Sequence, residues 1–292
     1  MKKNKLRKHW IHLGFRIIQL YFKKTEKTTD LVIKGYNTAS KYYDDAWTKH
    51  SRYLDDELLK FLNPPKNSNC VDLACGTGYV SGKLAQITNG KVIGVDLSPG
   101  MLEIAKKKYG SKCKFIKSDV LEYLKSQPDN SFDIVTYAWA LCYSKPNQVV
   151  KEIKRVIKPK GKIGIIDNSF FSVFEMFFAG IYTVAEDPAM LKNLYKIHPI
   201  PNKFSLYMRL WMYGLKVMKT WSGEKKSYVA SGKDAIKKLI ETGTASGYKY
   251  LVYDKYYNKV LKRYPINVEK LYMKKNGIPI THRYVAAIAQ KK

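Results

Sequence analysis

Val71-Asp72-Leu73-Ala74-Cys75-Gly76-Thr77-Gly78-Tyr79 is an apolar run that breaks into small residues and then resumes with helical periodicity. About twenty residues later Val92-Ile93-Gly94-Val95-Asp96-Leu97-Ser98 repeats the pattern, except that its apolar run ends on a single acid. Two such strands, parallel and adjacent, turn their carboxyl ends toward one crevice, where a nucleoside-bearing ligand can lie. Gly76 and Gly78 let the main chain approach that ligand with no Cβ in the way. Asp96 falls where a carboxylate accepts both ribose hydroxyls.

Working outward, residues 79–87 read as a helix and residues 91–96 as the second strand. Pro99 takes the first position of the next helix, with Ser98 as its cap. A third strand is expected over 114–118, ending at Asp119, and a fourth over 132–137 after the turn Pro128-Asp129-Asn130. Val149, Val150, Ile153, Val156 and Ile157 recur at helical spacing over 148–157. Lys158-Pro159-Lys160-Gly161 then turns into a fifth strand over 162–167. Five strands separated by helices predict a doubly wound α/β fold with a mostly parallel sheet. Ahead of it, residues 30–62 read as a helical region carrying Tyr36, Ala39, Tyr42, Tyr43, Ala46 and Trp47. Asn63-Pro64-Pro65 stops it, because proline lacks an amide donor and bars helix from the residue before it.

Beyond the fifth strand, residues 170–222 are rich in Phe, Tyr, Met and Trp and show no strand-length alternation. They are expected to form an inserted set of amphipathic helices, a cap. Strand-like runs at 248–253 and 283–289 close the chain. The expected organisation is a basic amphipathic helix over 1–29, a core over 30–168, a helical cap over 169–230, and the remainder of the core sheet over 231–292.

These residues resemble the class I S-adenosylmethionine-dependent methyltransferases, near the group that methylates quinones, sterols and other small molecules. The resemblance covers roughly residues 31–168 and the closing strands, and implies a Rossmann-like sheet. Its most specific part is Asp-x-Ala-Cys-Gly-Thr-Gly, since a dinucleotide-binding turn would more often read Gly-x-Gly-x-x-Gly; Ala74 stands where the first glycine would be. By position, the resemblance implies that Asp72, Ala74, Gly76 and Gly78 face the methionine part of S-adenosyl-L-methionine and that Asp96 holds its ribose. Leu97 and Met101 would lie beside the adenine, Asp119 would receive its amino group, and Val120 would supply an amide. Ala138 and Trp139 would lie near the transferable methyl, and Tyr42 or Tyr43 would cover the site. A dinucleotide oxidoreductase is the competing reading of the turn.

The chain has 292 residues, enough for a large core, and its 45% hydrophobic content excludes wholesale disorder. Cys70, Cys75, Cys113 and Cys142 have no C-x-x-C spacing and read as reduced thiols of a cytosolic protein, not as metal ligands. The net charge of +29 is unevenly spread: residues 1–29 carry +8, residues 191–292 carry +17, and the segment between only +4. Such basic ends suit anionic surfaces, phospholipid or nucleic acid. Lys2, Lys3, Lys5, Arg7 and Lys8 precede an apolar run from Trp10 to Phe22, and Lys23 and Lys24 follow it. Broken by His12, Arg16 and Gln19, the run is too short and polar to span a bilayer. It fits a signal peptide poorly, lacking a small-residue cleavage site. Its composition is that of a helix lying at a membrane surface.

Methyl transfer from a sulfonium asks mainly for proximity and orientation. His198, His282, Asp167 and Glu186 are the candidates if a base is required, and none is assigned. The aromatic region and the basic helix favour a small hydrophobic acceptor, such as a quinone, isoprenoid or lipid. RNA methylation is the alternative, drawn from the basic ends. Against it, the fourth strand ends Thr136-Tyr137-Ala138-Trp139, without the Asn/Asp-Pro-Pro-aromatic run usual in amino-group methylation of bases. A cofactor-binding protein without catalysis is a third reading.

Overall fold

The computed structural model describes residues 2–23, 25–241 and 248–292, with the side chains of 2–7, 41, 46–50 and 248 outside that description. The side chains of Lys2, Lys3, Lys5, Arg7, Lys24, Ala46 and Trp47 named above therefore lie outside the described residues.

In chain order the regular elements are α1 (Lys2–Phe22), α2 (Thr28–His50), α3 (Arg52–Leu62), β1 (Cys70–Leu73), α4 (Tyr79–Thr88), β2 (Val92–Asp96), α5 (Pro99–Tyr109), β3 (Lys114–Lys117) and α6 (Val120–Ser126). There follow β4 (Phe132–Ala138), α7 (Pro146–Val156), β5 (Ile157–Asn168), α8 (Phe174–Ala185), α9 (Lys203–Met212), β6 (Leu215–Val229), α10 (Gly232–Glu241), α11 (Asp254–Tyr272) and β7 (Ile278–Lys291). The sheet order is β3-β2-β1-β4-β5-β7-β6. β1 to β5 pair in parallel and β7 runs antiparallel to β5. This is the expected doubly wound, mostly parallel sheet. After β3 the chain crosses to the other side of β1, so a switch point opens between β1 and β4, where open α/β sheets hold their ligands.

The chain divides into two compact units. One comprises Ser40–Ser172, Ile197–Glu224 and Arg283–Lys292, the other Met1–Ala39, Val173–Lys196 and Lys225–His282. In the first, side chains alternate along each strand between two cores. Val71, Leu73, Val135, Tyr137, Ile163, Ile165, Val285 and Ala287 pack on one face against α6, α7 and α9. Cys70, Ile134, Ile166, Ala286 and Ile288 pack on the other against α3, α4 and α5. In the second unit, α8, α10 and α11 enclose Met176, Ala179, Ala235, Leu239, Tyr264 and Val268. All four cysteines are free, with Cys75 half-buried and the others buried.

The chain departs from the sequence-based expectation in five places. Lys158-Pro159-Lys160-Gly161, expected as a turn, lies within β5, which follows α7 directly. Residues 231–292 are not only core sheet, because α10 and α11 lie in the second unit. The single helical region over 30–62 is two helices, α2 and α3, that meet at Ser51. The region 169–230 is not wholly helical, because β6 occupies Leu215–Val229, and its parts fall in both units. β6 bears lysines and polar residues on both sides, as an edge strand can, so no apolar alternation marked it. Finally, Tyr248–Leu251 is a 3-10 turn, not a strand. Its neighbour Val252 finds only the isolated bridge to Leu191, too little pairing to sustain a strand from tyrosine propensity alone.

Candidate functional site

The turn after β1 is built from left-handed backbone: Ala74 has φ 53°, Gly76 φ 53° and Gly78 φ 82°. The two glycines serve different ends. A Cβ on Gly78 would lie 3.0 Å from Phe115 Cζ and 3.1 Å from Ala105 Cβ, whereas a Cβ on Gly76 would meet nothing within 4 Å. Gly78 is therefore needed for packing, and Gly76 faces open space. Ala74 accepts the same backbone with a Cβ in place, at a cost of about 1–2 kcal/mol.

Asp96 ends β2 beside this turn. Its Oδ2 accepts from the Gly76 amide at 2.9 Å and its Oδ1 from the Ser98 amide at 2.8 Å. Burial pushes its pKa up, opposed by the amides of Ser98, Gly76 and Leu97. Each oxygen keeps a second lone pair, so the carboxylate retains acceptor capacity for two hydroxyls. Ser98 Oγ accepts from the Met101 amide at 3.2 Å, the expected cap, and Met101 is buried behind it. Leu97 is half-buried. The Ser118 amide donates to the Asp96 carbonyl at 3.1 Å, which brings the end of β3 alongside. Asp119 caps α6, its Oδ1 accepting from Leu121 and Glu122, and Val120 is the first residue of that helix.

A cavity opens beside the turn, lined by Asp72, Ala74, Gly76, Ala138 and Trp139 together with Tyr43, Arg52, Asp55, Thr77 and Tyr79. Gly78, Asp96, Leu97, Met101, Asp119 and Val120 are not in its lining; Asp96 reaches the turn through Gly76. Asp72 lies at the cavity but is a strut: its oxygens accept from Ser81 Oγ at 2.6 Å and Thr136 Oγ1 at 2.8 Å. Burial pushes its pKa up to about 6. Of the two tyrosines expected to cover the site, Tyr43 lines the cavity and Tyr42 is exposed.

Trp139 follows β4 with φ 63°, a conformation costly for an aromatic residue and most often found at functional sites. Its Nε1 donates to Asp55 Oδ1 at 2.6 Å. Asp55 is buried on α3, and its pKa rises to about 7, first through burial and further through the charge of Asp72. On α2, Asp44 accepts from Thr77 Oγ1 at 2.6 Å and pairs with Arg52 and Lys108. Burial works against the Asp44 carboxylate, but Lys108, Thr77 and Arg52 outweigh it and hold its pKa below the ordinary value. Arg52 also stacks 4.3 Å from the Tyr79 ring centroid. The glycine turn, α2, α3 and α5 are thus joined through Asp44, by a hydrogen bond from Thr77 and ion pairs with Arg52 and Lys108.

None of the four candidate bases lines this cavity. Asp167 accepts from the Cys142 and Asn168 amides at 2.8 and 2.7 Å, holding the loop after β4, and burial pushes its pKa to about 7. The His198 side chain is exposed. Glu186 pairs with Arg263 at 2.7 Å and His282 is buried, both in the second unit. Motif reading passed over Arg52, Asp55, Thr77 and Tyr79. Asp55 left one legible signal, an acid sharing a helical stripe with Leu58, Leu59 and Leu62.

Residues 71–165 match the family model described as a methyltransferase domain. Among curated proteins, the chain is 32% identical to the demethylmenaquinone methyltransferase of Bacillus licheniformis over 130 residues, 42% of this chain and 54% of that one. It is 30% identical to the Staphylococcus aureus protein of the same name over 175 residues, 58% of this chain and 64% of that one. The chain thus spans between about half and two-thirds of the curated relatives it matches. Among solved structures, YcgJ from Bacillus subtilis aligns with TM-score 0.55 at 16% identity, over 82% of this chain and 99% of that one. The [4+2]-cyclase SpnF aligns with TM-score 0.54 at 17% identity, over 84% and 82%. A cyclase on the same fold means that the sheet alone does not choose a reaction. The choice falls to the matched segment, residues 71–165, through which this chain is similar to methyltransferases.

Proposed function

We propose that this chain transfers a methyl group from S-adenosylmethionine to a small hydrophobic acceptor of the quinone, isoprenoid or lipid class, in the cytoplasm. The observation that carries the donor site is Asp96 at the end of β2, whose Oδ2 accepts from the Gly76 amide of an open turn and whose Oδ1 accepts from the Ser98 amide. The space beside Gly76 fits a ligand that must approach the main chain closely. Asp96 would hold the ribose, Leu97 and Met101 the adenine, and Asp119 and Val120 its polar edge. Ala74 and Gly76 would face the methionine part, with Gly78 packed on Phe115 and Asp72 shaping the turn from behind. Ala138 and Trp139 would border the methyl.

When bound, the cofactor supplies an electrophilic methyl and its own leaving group. The protein's contribution is then position and exclusion of water. Trp139, held by Asp55, and Tyr43, on α2, wall the cavity where the transfer would occur. No residue is assigned as a base, and an acceptor that attacks without losing a proton needs none. The similarity to demethylmenaquinone methyltransferases supports a quinone-like acceptor.

Incubating the protein with labelled S-adenosylmethionine and a cell extract, then separating lipid, small-molecule, protein and RNA pools, tests this reading. Label is expected in the lipid pool. Label confined to RNA would overturn the acceptor class, and no calorimetric binding of S-adenosylmethionine would overturn the donor.

A further inference from the structure

α1 carries two apolar faces. One is docked within its own unit: Leu13 and Leu20 are buried with Ala185 and Leu191, and Trp10 stacks on Phe178 with ring centroids 6.1 Å apart. Arg16 fastens this face, donating to the Leu191 carbonyl at 3.0 Å through Nε and 2.7 Å through Nη2. The second face is Ile11, Phe15, Ile18 and Phe22, exposed by 49, 67, 57 and 83%. Its spacing of four, three and four residues makes one stripe, and at about 100° per residue it lies on the side opposite Leu13 and Leu20. One exposed apolar side chain is ordinary; a stripe three turns long is not.

Charge selects the occupant. Residues 1–24 hold eight basic side chains and no acidic one. Lys8 and Lys23 are exposed at either end of the stripe, and Lys196 Nζ sits 4.7 Å from the Tyr21 ring centroid. A second copy apposed on this face would bring its own eight cations against these. A surface both apolar and anionic meets neither penalty. Among the described residues no helix is long and apolar enough to cross a membrane, so α1 would lie along such a surface.

We infer that the outward face of α1 docks on an anionic phospholipid surface, Ile11, Phe15, Ile18 and Phe22 entering the acyl boundary while the lysines flanking the stripe meet the headgroups. The inference extends the acceptor reading above to the surface where a hydrophobic acceptor is met, but its observations are independent of methyl transfer. The test floats the full-length protein with vesicles of phosphatidylcholine alone or mixed with phosphatidylglycerol, beside the variant Phe15→Ser/Phe22→Ser. Both phenylalanines are exposed, so the variant should fold, and unchanged calorimetric binding of S-adenosylmethionine checks that it has. Expected are preference for the anionic vesicles, weakening with salt, and a loss of about tenfold or more in the variant. Indifference to phosphatidylglycerol, or equal binding by the variant, would overturn the inference. So would a concentration-dependent dimer that the variant abolishes without vesicle binding, which would give the face to a second copy. A protein that binds vesicles but transfers no methyl would leave this inference standing and overturn only the reading of the reaction.

Discussion

Replacing Asp55 by Asn removes a buried charge and keeps a buried hydrogen bond, because the amide oxygen can still accept from Trp139 Nε1. Burial raises the Asp55 pKa from the ordinary 3.8 to about 7. The native state therefore holds this proton to higher pH than the unfolded chain, which releases it near 3.9. The favourable contribution is complete below about pH 4 and is lost as pH rises to about 7. At about 1.4 kcal/mol per pH unit, the span from pH 5 to pH 8 removes about 3 kcal/mol from the wild type through Asp55, a loss the Asn variant does not share. Asp72 and Asp167 titrate in both proteins and largely cancel in the difference. The Asp55–Asp72 repulsion, absent from the variant, acts in the same direction. Urea denaturation of both proteins at pH 5, 6, 7 and 8 reads the effect. The stability of Asp55→Asn relative to wild type should climb by about 3 kcal/mol across the series, and parallel curves would show that Asp55 ionises freely in the folded state.

Two further substitutions probe the donor site. On the proposed reading, Asp96→Ala would delete the acceptor of two ribose hydrogen bonds, each to a charged group and each worth about 1.5–3 kcal/mol. Calorimetric affinity for S-adenosylmethionine should fall at least tenfold, and unchanged affinity would remove Asp96 from the ribose. The glycines should separate folding from binding. Gly78→Ala meets Phe115 and Ala105 and should lower stability by about 2–3 kcal/mol. Gly76→Ala meets nothing, and should cost only about 1–2 kcal/mol through its backbone while abolishing cofactor binding. Equal thermal stabilities for the two variants would contradict this division.

The sheet was legible because its signals are local. The turn at Ala74–Gly78, the Ser98 cap with Pro99 behind it, and the periodicity of Val149 to Val156 each follow from a few neighbouring residues. Asp96 beside Gly76 was legible for the same reason, since strand ends and the turns after them read directly from sequence. β6 was not, because an edge strand with lysines on both sides lacks the apolar contrast that marks a buried one. The Asp55–Trp139 hydrogen bond joins residues 84 positions apart, and no local pattern pairs them. The position of Asp72 in the motif does not show that its oxygens are occupied; the hydroxyls of Ser81 and Thr136 that occupy them come from α4 and β4, and only the folded chain brings them there.

β7 lies between β5 and β6, with Ile163 opposite Ala289 and Asn168 opposite Tyr284. On the ribosome, β5 is therefore made well over a hundred residues before its partner. At roughly 5–20 residues per second, the nascent sheet keeps an open edge of Ile163, Gly164, Ile165 and Ile166 for roughly 6–23 s. Such an edge is a template for strand pairing with any chain nearby. The interval in which this protein is most exposed to capture, by a chaperone or by a sister nascent chain, is thus written into its strand order.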